Sequence, residues 1–367
     1  MAPIIQFVAR PGILDLGCGQ PNPALLPVQP WLAAAEECAR SYGWQALSYG
    51  TVAGPGPLIE WLADHLHTGN FFITAGASHA LALVAGLLAE PGDTVLVDAP
   101  TYHFALRILA DRGVRLVAAQ PDLDAHIASL RAQGQRVPML YLVPTFGNPT
   151  GASVPDARRR YLVEVAQRTG VRIVEDDTYR ELGYDGPAPV SLWDLSGGEG
   201  VVRIGSFAKT VAPGLRLGWI NAAAPLIARL AGLGYVDSGG GVNHANALTM
   251  AAFCTSGAFE RHVAELRPAY RERRDVLAGA LRGLDVVVPR GGWFLWARLP
   301  DGISATDLLP VAEQHGVSFV PGPRFYPDQD GGQEYLRLAY SFLDLPELGA
   351  AADRLSRAVC GYAARSC

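Results

Sequence analysis

The sequence predicts an α/β protein whose core is a mostly parallel β-sheet flanked by helices. Short apolar runs of strand type recur along the first two thirds of the chain, and several are separated by segments with helical spacing of apolar residues. Most of these runs are apolar at consecutive positions, which indicates strands buried on both faces. Alternation of such strands with helices is the pattern that builds a parallel sheet.

Seven runs carry this prediction. The first, FFIT at 71–74, leads through Gly76 into SHALALVAGLLA, which has helical periodicity. The helix-like stretch 155–168 separates two later runs. In chain order, the six further strand candidates are residues 94–100, 114–119, 138–144, 171–177, 201–206 and 215–220.

The pattern changes near residue 255, where a long helix begins. Short strand candidates follow at 285–289 and 292–300, and a last helix is expected near 345–362. This order predicts a second, smaller α+β domain in the C-terminal third of the chain.

Composition narrows the functional classes. The chain has 367 residues, 49% of them hydrophobic, a net charge of −5 and no basic stripe, so we expect no nucleic-acid partner. The five cysteines lie far apart without metal-ligand spacing, which favours a reducing compartment and no metal site. Residues 1–12 lack the features of a signal peptide, and no apolar run is long enough for a membrane span. These observations predict a cytoplasmic protein without a membrane partner.

One residue stands out by its rarity. Lys209 is the only lysine among the 30 lysines and arginines of the chain. Arginine replaces lysine easily where only a solvated positive charge is needed, but a guanidinium is in practice never deprotonated. A neutral primary amine can attack a carbonyl and form a Schiff base, so the survival of Lys209 indicates that chemistry.

The residues near Lys209 predict which kind of molecule supplies the carbonyl group. Ser206 precedes it at the end of a predicted strand, and Arg216 follows seven residues later. A hydroxyl and a guanidinium beside an amine suit a phosphorylated aldehyde, because they hold the phosphate while the amine takes the carbonyl. Pyridoxal 5'-phosphate is the common cofactor of that description.

Side chains near the ends of other predicted strands match further groups of this cofactor. An acid is needed at the pyridine nitrogen, and the cluster Glu175, Asp176 and Asp177 follows a buried strand, with Tyr179 close behind. From the residues alone, this cluster could equally be a solvated turn. Further candidates are the amide of Asn148, the ring of Tyr102, and the free N–H groups at a helix start formed by Gly76, Ala77 and Ser78.

Taken together, the motifs resemble those of the class I/II aminotransferases, fold type I enzymes of pyridoxal phosphate. The resemblance runs through nearly the whole chain, and it rests on the order and spacing of motifs that are individually weak. The motifs are GCGQPNPALLP, LSYGTVAGPGPLIEWLADHL, TAGASHAL, PGDTVLVDAPTY, GNPTG, EDDTY, SFAKTVAPGLRLGW, GGWFLW and LRLAYSF.

The resemblance implies a role for each candidate. Lys209 is expected to form the internal aldimine and then to move the proton between substrate and cofactor. The other cofactor contacts implied are Asp176 at the pyridine nitrogen, Tyr179 and Asn148 at the ring oxygen, Tyr102 stacked on the ring, and Gly76, Ala77, Ser78, Ser206 and Arg216 at the phosphate. Arg337 is expected to clamp the substrate α-carboxylate, with Gly19 and Asn148 also at the substrate.

The resemblance also implies the overall organisation. Tyr49 resembles a tyrosine that reaches the phosphate of the neighbouring subunit, so we expect a homodimer with shared active sites. The expected division is an N-terminal arm and part of the small domain over 1–43, a large cofactor-binding domain over 44–283, and a small C-terminal domain over 284–367. The expected reaction moves an amino group from an L-amino acid to a 2-oxo acid, with 2-oxoglutarate as acceptor.

Other interpretations remain. The same scaffold also supports elimination, replacement or carbon–carbon bond formation in specialised pathways, since the motifs report the cofactor and the amino-acid carboxylate rather than the later steps. The segment ILDLGCGQP at 13–21 is similar to the first motif of methyltransferases that use S-adenosylmethionine, but the prolines that follow disfavour the required helix. Some transcription regulators contain a half that is similar to these aminotransferases and follows a DNA-binding domain. In this sequence the aminotransferase-like pattern begins near residue 13, before which no DNA-binding module is expected.

Overall fold

A computed structural model of the chain describes residues 10–366. The parts of the predicted terminal segments that fall on residues 1–9 and on Cys367 lie outside the described residues. Three sheets occur in the described part, with seven, four and two strands.

The strands follow the order of the apolar runs in the sequence. They are β1 (Leu14–Asp15), β2 (Phe71–Thr74), β3 (Thr94–Val97), β4 (Arg115–Ala118), β5 (Met139–Leu142), β6 (Arg172–Asp176), β7 (Val201–Ser206), β8 (Gly218–Asn221), β9 (Asp285–Val286), β10 (Phe294–Arg298), β11 (Val317–Ser318), β12 (Val320–Pro321) and β13 (Tyr335–Ala339).

The α-helices alternate with these strands through the first two thirds of the chain. They are α1 (Val28–Tyr42), α2 (Gly56–Leu66), α3 (Ala77–Leu88), α4 (His103–Ala110), α5 (Leu123–Ala132), α6 (Asp156–Thr169), α7 (Leu192–Ser196), α8 (Ala224–Ala231), α9 (His244–Thr255), α10 (Ala258–Ala280), α11 (Ala305–Gln314) and α12 (Leu345–Ser366).

The seven-stranded sheet has the order β2, β8, β7, β6, β5, β3, β4. Strand β8 runs antiparallel to both of its neighbours, and every other pair in this sheet is parallel. Strands β2, β3, β5 and β8 are buried along their whole length, as strands covered by helices on both faces must be. The predicted α/β class with a mostly parallel sheet flanked by helices is therefore confirmed.

Several strands are shorter than the predicted runs, and one of them begins only after a turn. Strand β3 covers 94–97 of the run 94–100, and β5 covers 139–142 of the run 138–144. The run 215–220 was expected to be extended throughout, but β8 begins only at Gly218. A short turn at Pro213–Leu215 precedes it, and Arg216 has left-handed backbone geometry with φ of +49°. Apolar character alone does not reveal this turn, after which the side chain of Arg216 reaches the carbonyl of Ala75.

A second sheet, β12-β13-β10-β9, is antiparallel, as expected for the α+β segment. The N-terminal β1 pairs with β11, so an N-terminal segment joins the C-terminal third of the chain in a small sheet. Helix α1 packs instead on α9 and contributes Ala34 to an apolar cluster with Leu58. The division of the chain at residues 43 and 283 stays a prediction.

The fold brings several chain segments to one edge of the large sheet. The parallel strands β3, β5, β6 and β7 all end there, at residues 97, 142, 176 and 206. In open α/β sheets this edge, outside the carboxyl ends of the strands, is where ligands bind.

Candidate active site

A cavity of about 400 Å³ lies at this edge of the sheet. That volume is within the range typical of small-molecule sites. Its walls come from strand ends of the large sheet, from the N-terminal segment and from the second sheet. Of the residues proposed from the sequence, those that line it are Gly19, Ala77, Ser78, Tyr102, Asn148, Asp176, Tyr179, Ser206, Lys209, Arg216 and Arg337.

Lys209 lies three residues beyond the end of β7, with its side chain directed into the cavity. Its Nζ is 3.5 Å from the carbonyl oxygen of Gly19 and 4.6 Å from the centre of the Trp293 ring. Enclosure of the amine, assisted by the positive charge of Arg337, lowers the pKa of Lys209 to about 8. About a tenth of the amine is therefore neutral, and nucleophilic, at pH 7, far more than for a lysine with an ordinary pKa.

The structure separates the three acids that the sequence left together. Glu175 points to the opposite side of β6, where its carboxylate accepts hydrogen bonds from the N–H groups of Leu192 and Trp193 at 2.9 and 3.0 Å. Asp177 forms a buried ion pair with Arg203 at 2.7 Å.

Asp176 alone among these three acids lines the cavity. Burial raises the pKa of Asp176, and hydrogen bonds from Thr178 and Tyr141 oppose that shift. The Tyr141 hydroxyl donates to Oδ2 at 2.8 Å, and Thr178 donates its hydroxyl to Oδ1. The carboxylate is held by both oxygens and can still receive a further donor from the cavity.

Tyr141 was not predicted from the sequence. It lies inside an apolar run that predicts a buried strand, and the structure confirms that strand as β5. The available signal was chemical: a fully buried tyrosine hydroxyl needs a hydrogen-bond partner, and the adjacent strand β6 carries acids.

Opposite Asp176, the start of α3 and the turn before β8 form a pocket for an anion. Gly76 is the N-cap of α3 with φ of +87°, and the following N–H groups of Ala77 and Ser78 have no partner within the helix. Arg216 reaches the same place, since its Nη2 donates to the carbonyl of Ala75 at 3.3 Å. Ser206 lines this part of the cavity as well.

Gly76 does not line the cavity, but its place requires glycine. A Cβ atom there would lie 2.7 Å from Nη2 of Arg216, and positive φ strains any other residue.

Arg337 on β13 is buried and faces the cavity from the second sheet. Its Nη1 donates to Oδ1 of Asn148 at 3.0 Å, its Nη2 donates to the carbonyl of Gly17 at 2.7 Å, and its Nε has no partner in the described residues. Burial lowers the pKa of Arg337 to about 10, which leaves it cationic at neutral pH. A buried cation with an unsatisfied donor is suited to a carboxylate ligand.

Tyr49 lies elsewhere. Its side chain is 91% exposed, and it borders a different cavity of about 270 Å³ near His244. In the described chain it does not reach the cavity of Lys209, and its predicted contact with a partner's site stays a prediction.

These residues fit pyridoxal phosphate. A buried carboxylate with a free acceptor direction suits its pyridine nitrogen, the α3 terminus with Arg216 suits its phosphate, and the amine of lowered pKa suits its aldehyde. Across residues 10–366, no group of three or more His, Cys, Asp or Glu side chains is arranged to hold a metal ion. None of the helices in that range is long and apolar enough to cross a membrane.

Comparisons with known proteins agree with this chemistry. The model of the family "Aminotransferase class I and II" matches residues 11–355. A 2-aminoadipate transaminase of Thermus thermophilus is 33% identical, over 98% of this chain and 94% of its own. The crystal structure of an alpha-aminoadipate aminotransferase from Thermus thermophilus, complexed with N-(5'-phosphopyridoxyl)-L-leucine, has a TM-score of 0.87 at 32% identity, covering 97% of this chain and 94% of that one.

A transcriptional regulator of HTH type from Bacillus subtilis is also similar. It is 31% identical over 94% of this chain, but the match covers only 73% of the regulator. The family match across the chain, the aminotransferase relatives and the cavity lead to one conclusion. The chain belongs to the class I and II aminotransferase family and is a pyridoxal-phosphate-dependent amino-acid aminotransferase.

Proposed function

We propose that the enzyme transfers the amino group of an L-amino acid to 2-oxoglutarate in two half-reactions at this cavity, with the residues named above in specific roles. The observation that carries the proposal is that Lys209, Asp176 and Arg337 line one cavity although they are far apart in sequence. They supply an amine, an acid and a carboxylate clamp, which are the three functions that the reaction needs.

Pyridoxal phosphate, when bound, supplies an electron sink for the negative charge that develops at the substrate Cα. Asp176 would hold the proton on the pyridine nitrogen, with its carboxylate kept in place by Tyr141 and Thr178. Tyr102 would hold the ring by stacking, while Tyr179 and Asn148 would donate hydrogen bonds to the ring oxygen. The phosphate would be bound by Ser206, Arg216 and the α3 terminus at Gly76, Ala77 and Ser78.

Lys209 removes the proton from the substrate Cα and returns it on the cofactor side. Its lowered pKa supports this role, because a general base works best when its pKa is near the operating pH. Arg337 binds the α-carboxylate in the planar, bidentate geometry that lysine cannot supply, and Gly19 leaves room for the substrate beside it. The substrate Cα is thereby oriented toward Nζ of Lys209.

We propose further that the enzyme is a homodimer in which Tyr49 completes the phosphate site of the partner. Three large apolar side chains lie exposed within six residues: Trp44 at 76%, Leu47 at 86% and Tyr49 at 91%. Such a patch is typical of an interaction surface.

The cellular location and the domains are also proposals. The four cysteines in the described range are unpaired, which supports a cytoplasmic location. The pairing of β1 with β11 supports the division into an N-terminal arm and part of the small domain over 1–43, a large domain over 44–283 and the small C-terminal domain over 284–367.

The reaction is tested by titrating the cofactor-loaded protein with a panel of L-amino acids while absorbance and released 2-oxo acid are followed. Conversion of the cofactor to its amine form, with one equivalent of 2-oxo acid per site, is expected, and 2-oxoglutarate should reverse it. Ammonia release without the amine form would contradict transamination and favour the elimination or replacement chemistry of the same scaffold.

The shared site is tested by mixing two variants. Tyr49→Phe should bind pyridoxal phosphate more weakly, and Lys209→Ala should be inactive. If sites are shared, subunit exchange between them restores a tight, active site that contains Tyr49 from one subunit and Lys209 from the other. A mixture no more active than its components, or a monomer in sedimentation, would contradict the proposal.

A further inference from the structure

The pocket for an anion at the start of α3 depends on the short turn between β2 and that helix. The turn contains Ala75 and Gly76, and the N–H groups of Ala77 and Ser78 follow it at the cavity. Backbone N–H groups bind an anion well only when they point in fixed directions. The conformation of this turn therefore decides how firmly a phosphate is held.

Both polar backbone groups of Ala75 are bound by side chains. Its carbonyl oxygen accepts a hydrogen bond from Nη2 of Arg216 at 3.3 Å, and its N–H donates to Nδ1 of His79 at 3.0 Å. Arg216 lines the cavity, whereas His79 does not. His79 therefore reaches the anion pocket through the backbone of Ala75.

The hydrogen bond from Ala75 defines the state of the His79 ring. A backbone N–H can only donate, so Nδ1 is the unprotonated nitrogen, and the proton of the neutral imidazole lies on Nε2. Burial lowers the pKa of His79, which keeps the ring neutral at neutral pH. The ring packs edge-on against Tyr235, with 6.3 Å between the ring centres. His79 is thus a neutral acceptor held in one orientation.

The position of His79 in α3 makes its neutrality useful. Counted from the N-cap Gly76, His79 is the third helical residue, where Glu or Gln commonly reaches back to a backbone N–H at the helix start. A carboxylate in this place would lie close to a bound phosphate dianion and repel it. The imidazole makes the same type of hydrogen bond without adding negative charge.

The strands beside the turn restrict it further. The hydroxyl of Thr74 donates to the carbonyl of Gly76 at 3.1 Å, and Thr74 pairs with Gly218 of β8. A Cβ atom at Gly218 would lie 3.0 Å from the amide nitrogen of Ala77, so β8 packs directly against the backbone of the turn. The bond to His79 completes a set of contacts that leaves the turn little freedom.

We propose that His79 is a positioning residue for the cofactor phosphate. Its Nδ1 fixes the backbone of Ala75, and through it the place of the Arg216 guanidinium and the directions of the N–H groups of Ala77 and Ser78. This inference rests on the proposed function, since it takes the phosphate to bind at the start of α3.

The test uses His79→Phe, which keeps a ring in place but lacks the acceptor. Binding of pyridoxal 5'-phosphate to the cofactor-free protein is compared with binding of pyridoxal, which has no phosphate. We expect the apparent Kd of pyridoxal 5'-phosphate to rise about tenfold, equivalent to about 1.4 kcal/mol, and that of pyridoxal to change less than about twofold. His79→Asn should restore most of the affinity, because Oδ1 of asparagine and Nδ1 of histidine lie equally far along the side chain.

The matched control is His126→Phe. His126 in α5 makes the same kind of contact, since its Nδ1 accepts the N–H of Gln120 at 3.3 Å, but it does not line the cavity. Its replacement should lower stability without a selective loss of affinity for pyridoxal 5'-phosphate. If His79→Phe does not fold, the smaller His79→Leu takes its place.

Three outcomes would overturn the positioning role of His79. They are equal losses for pyridoxal 5'-phosphate and pyridoxal, an unchanged Kd of pyridoxal 5'-phosphate in His79→Phe, and a His79→Asn variant that binds as weakly as His79→Phe. Failure of the wild-type protein to bind pyridoxal 5'-phosphate would instead overturn the proposed function.

Discussion

The hydroxyl of Tyr141 on β5 donates a 2.8 Å hydrogen bond to Oδ2 of Asp176 at the end of β6. Burial raises the pKa of Tyr141 well above its usual value, so the phenol stays protonated and remains a donor at neutral pH. This hydrogen bond links two adjacent parallel strands at the edge of the candidate site. It holds the buried carboxylate of Asp176 in one orientation.

Replacing Tyr141 by Phe should therefore weaken cofactor binding and catalysis without unfolding the protein. A hydrogen bond to a charged group contributes about 1.5–3 kcal/mol, so we expect the product of cofactor affinity and kcat/KM to fall about 10- to 100-fold. The control is Tyr161→Phe, which removes a hydroxyl that contacts Asp122 at the surface. Equal behaviour of the two variants would contradict a role for Tyr141 in positioning Asp176.

Removing the amine of Lys209 should stabilise the cofactor-free protein at neutral pH. The unfolded chain keeps the Lys209 proton up to about pH 10.5, but the folded chain only up to about pH 8. The unfolded state thus binds more protons between these values, and the free energy of unfolding rises with pH across that window. Below pH 8 the folded state carries the full cost of the enclosed charge.

The variant Lys209→Met tests this linkage. Because the side chain of Lys209 is only partly buried, we expect the substitution to raise the free energy of unfolding by about 2 kcal/mol at pH 7, less than the full pKa shift implies. At pH 10 we expect almost no gain in this free energy. Urea unfolding of the cofactor-free proteins at both pH values measures it. A wild-type protein as stable as the variant at pH 7 would show that the amine is well hydrated in the cavity.

The substitution Gly76→Ala should disturb Arg216. The added Cβ would lie 2.7 Å from Nη2 at a backbone φ of +87°, so the guanidinium must move and the backbone is strained by about 1–3 kcal/mol. We expect weaker binding of both pyridoxal phosphate and free phosphate. Gly86→Ala is the matched control in the same helix, where nothing lies within 4 Å of the new Cβ and stability should rise by about 0.5–1 kcal/mol.

Replacing Arg337 by Lys should raise KM for amino acids much more than it lowers kcat. Lysine keeps the charge but loses the planar fork, and it leaves the carbonyl of Gly17 or Oδ1 of Asn148 without its donor. We expect KM to rise about 100-fold, equivalent to about 2.7 kcal/mol. Steady-state kinetics with separate kcat and KM values would contradict the clamp if only kcat changed.

Much of the fold could be predicted from the sequence, because buried parallel strands appear as apolar runs between helices. The start of β8 could not, since the turn that places Arg216 depends on local backbone geometry rather than on hydrophobicity. At the site, its rarity identified Lys209 and the family resemblance pointed to Asp176, but the residues alone could not choose among Glu175, Asp176 and Asp177. Only the direction of each side chain at the end of β6 decides which carboxylate faces the cavity.

Tyr141 escaped the sequence analysis because its signal depends on its neighbours in the fold. In the sequence it looks like any aromatic residue in a buried strand. Motif reasoning finds residues that a whole family shares, whereas Tyr141 becomes visible when hydrogen bonds are followed in space.

The bond from Arg337 to the carbonyl of Gly17 spans 320 residues of chain. Together with the pairing of β1 and β11, it means that one wall of the cavity joins a segment made before the large sheet to a segment made after it. The large sheet can form earlier than this wall, because its strands lie between residues 71 and 221. Synthesis can therefore yield a folded core with an incomplete pocket, and the substrate clamp forms only after Arg337 has left the ribosome.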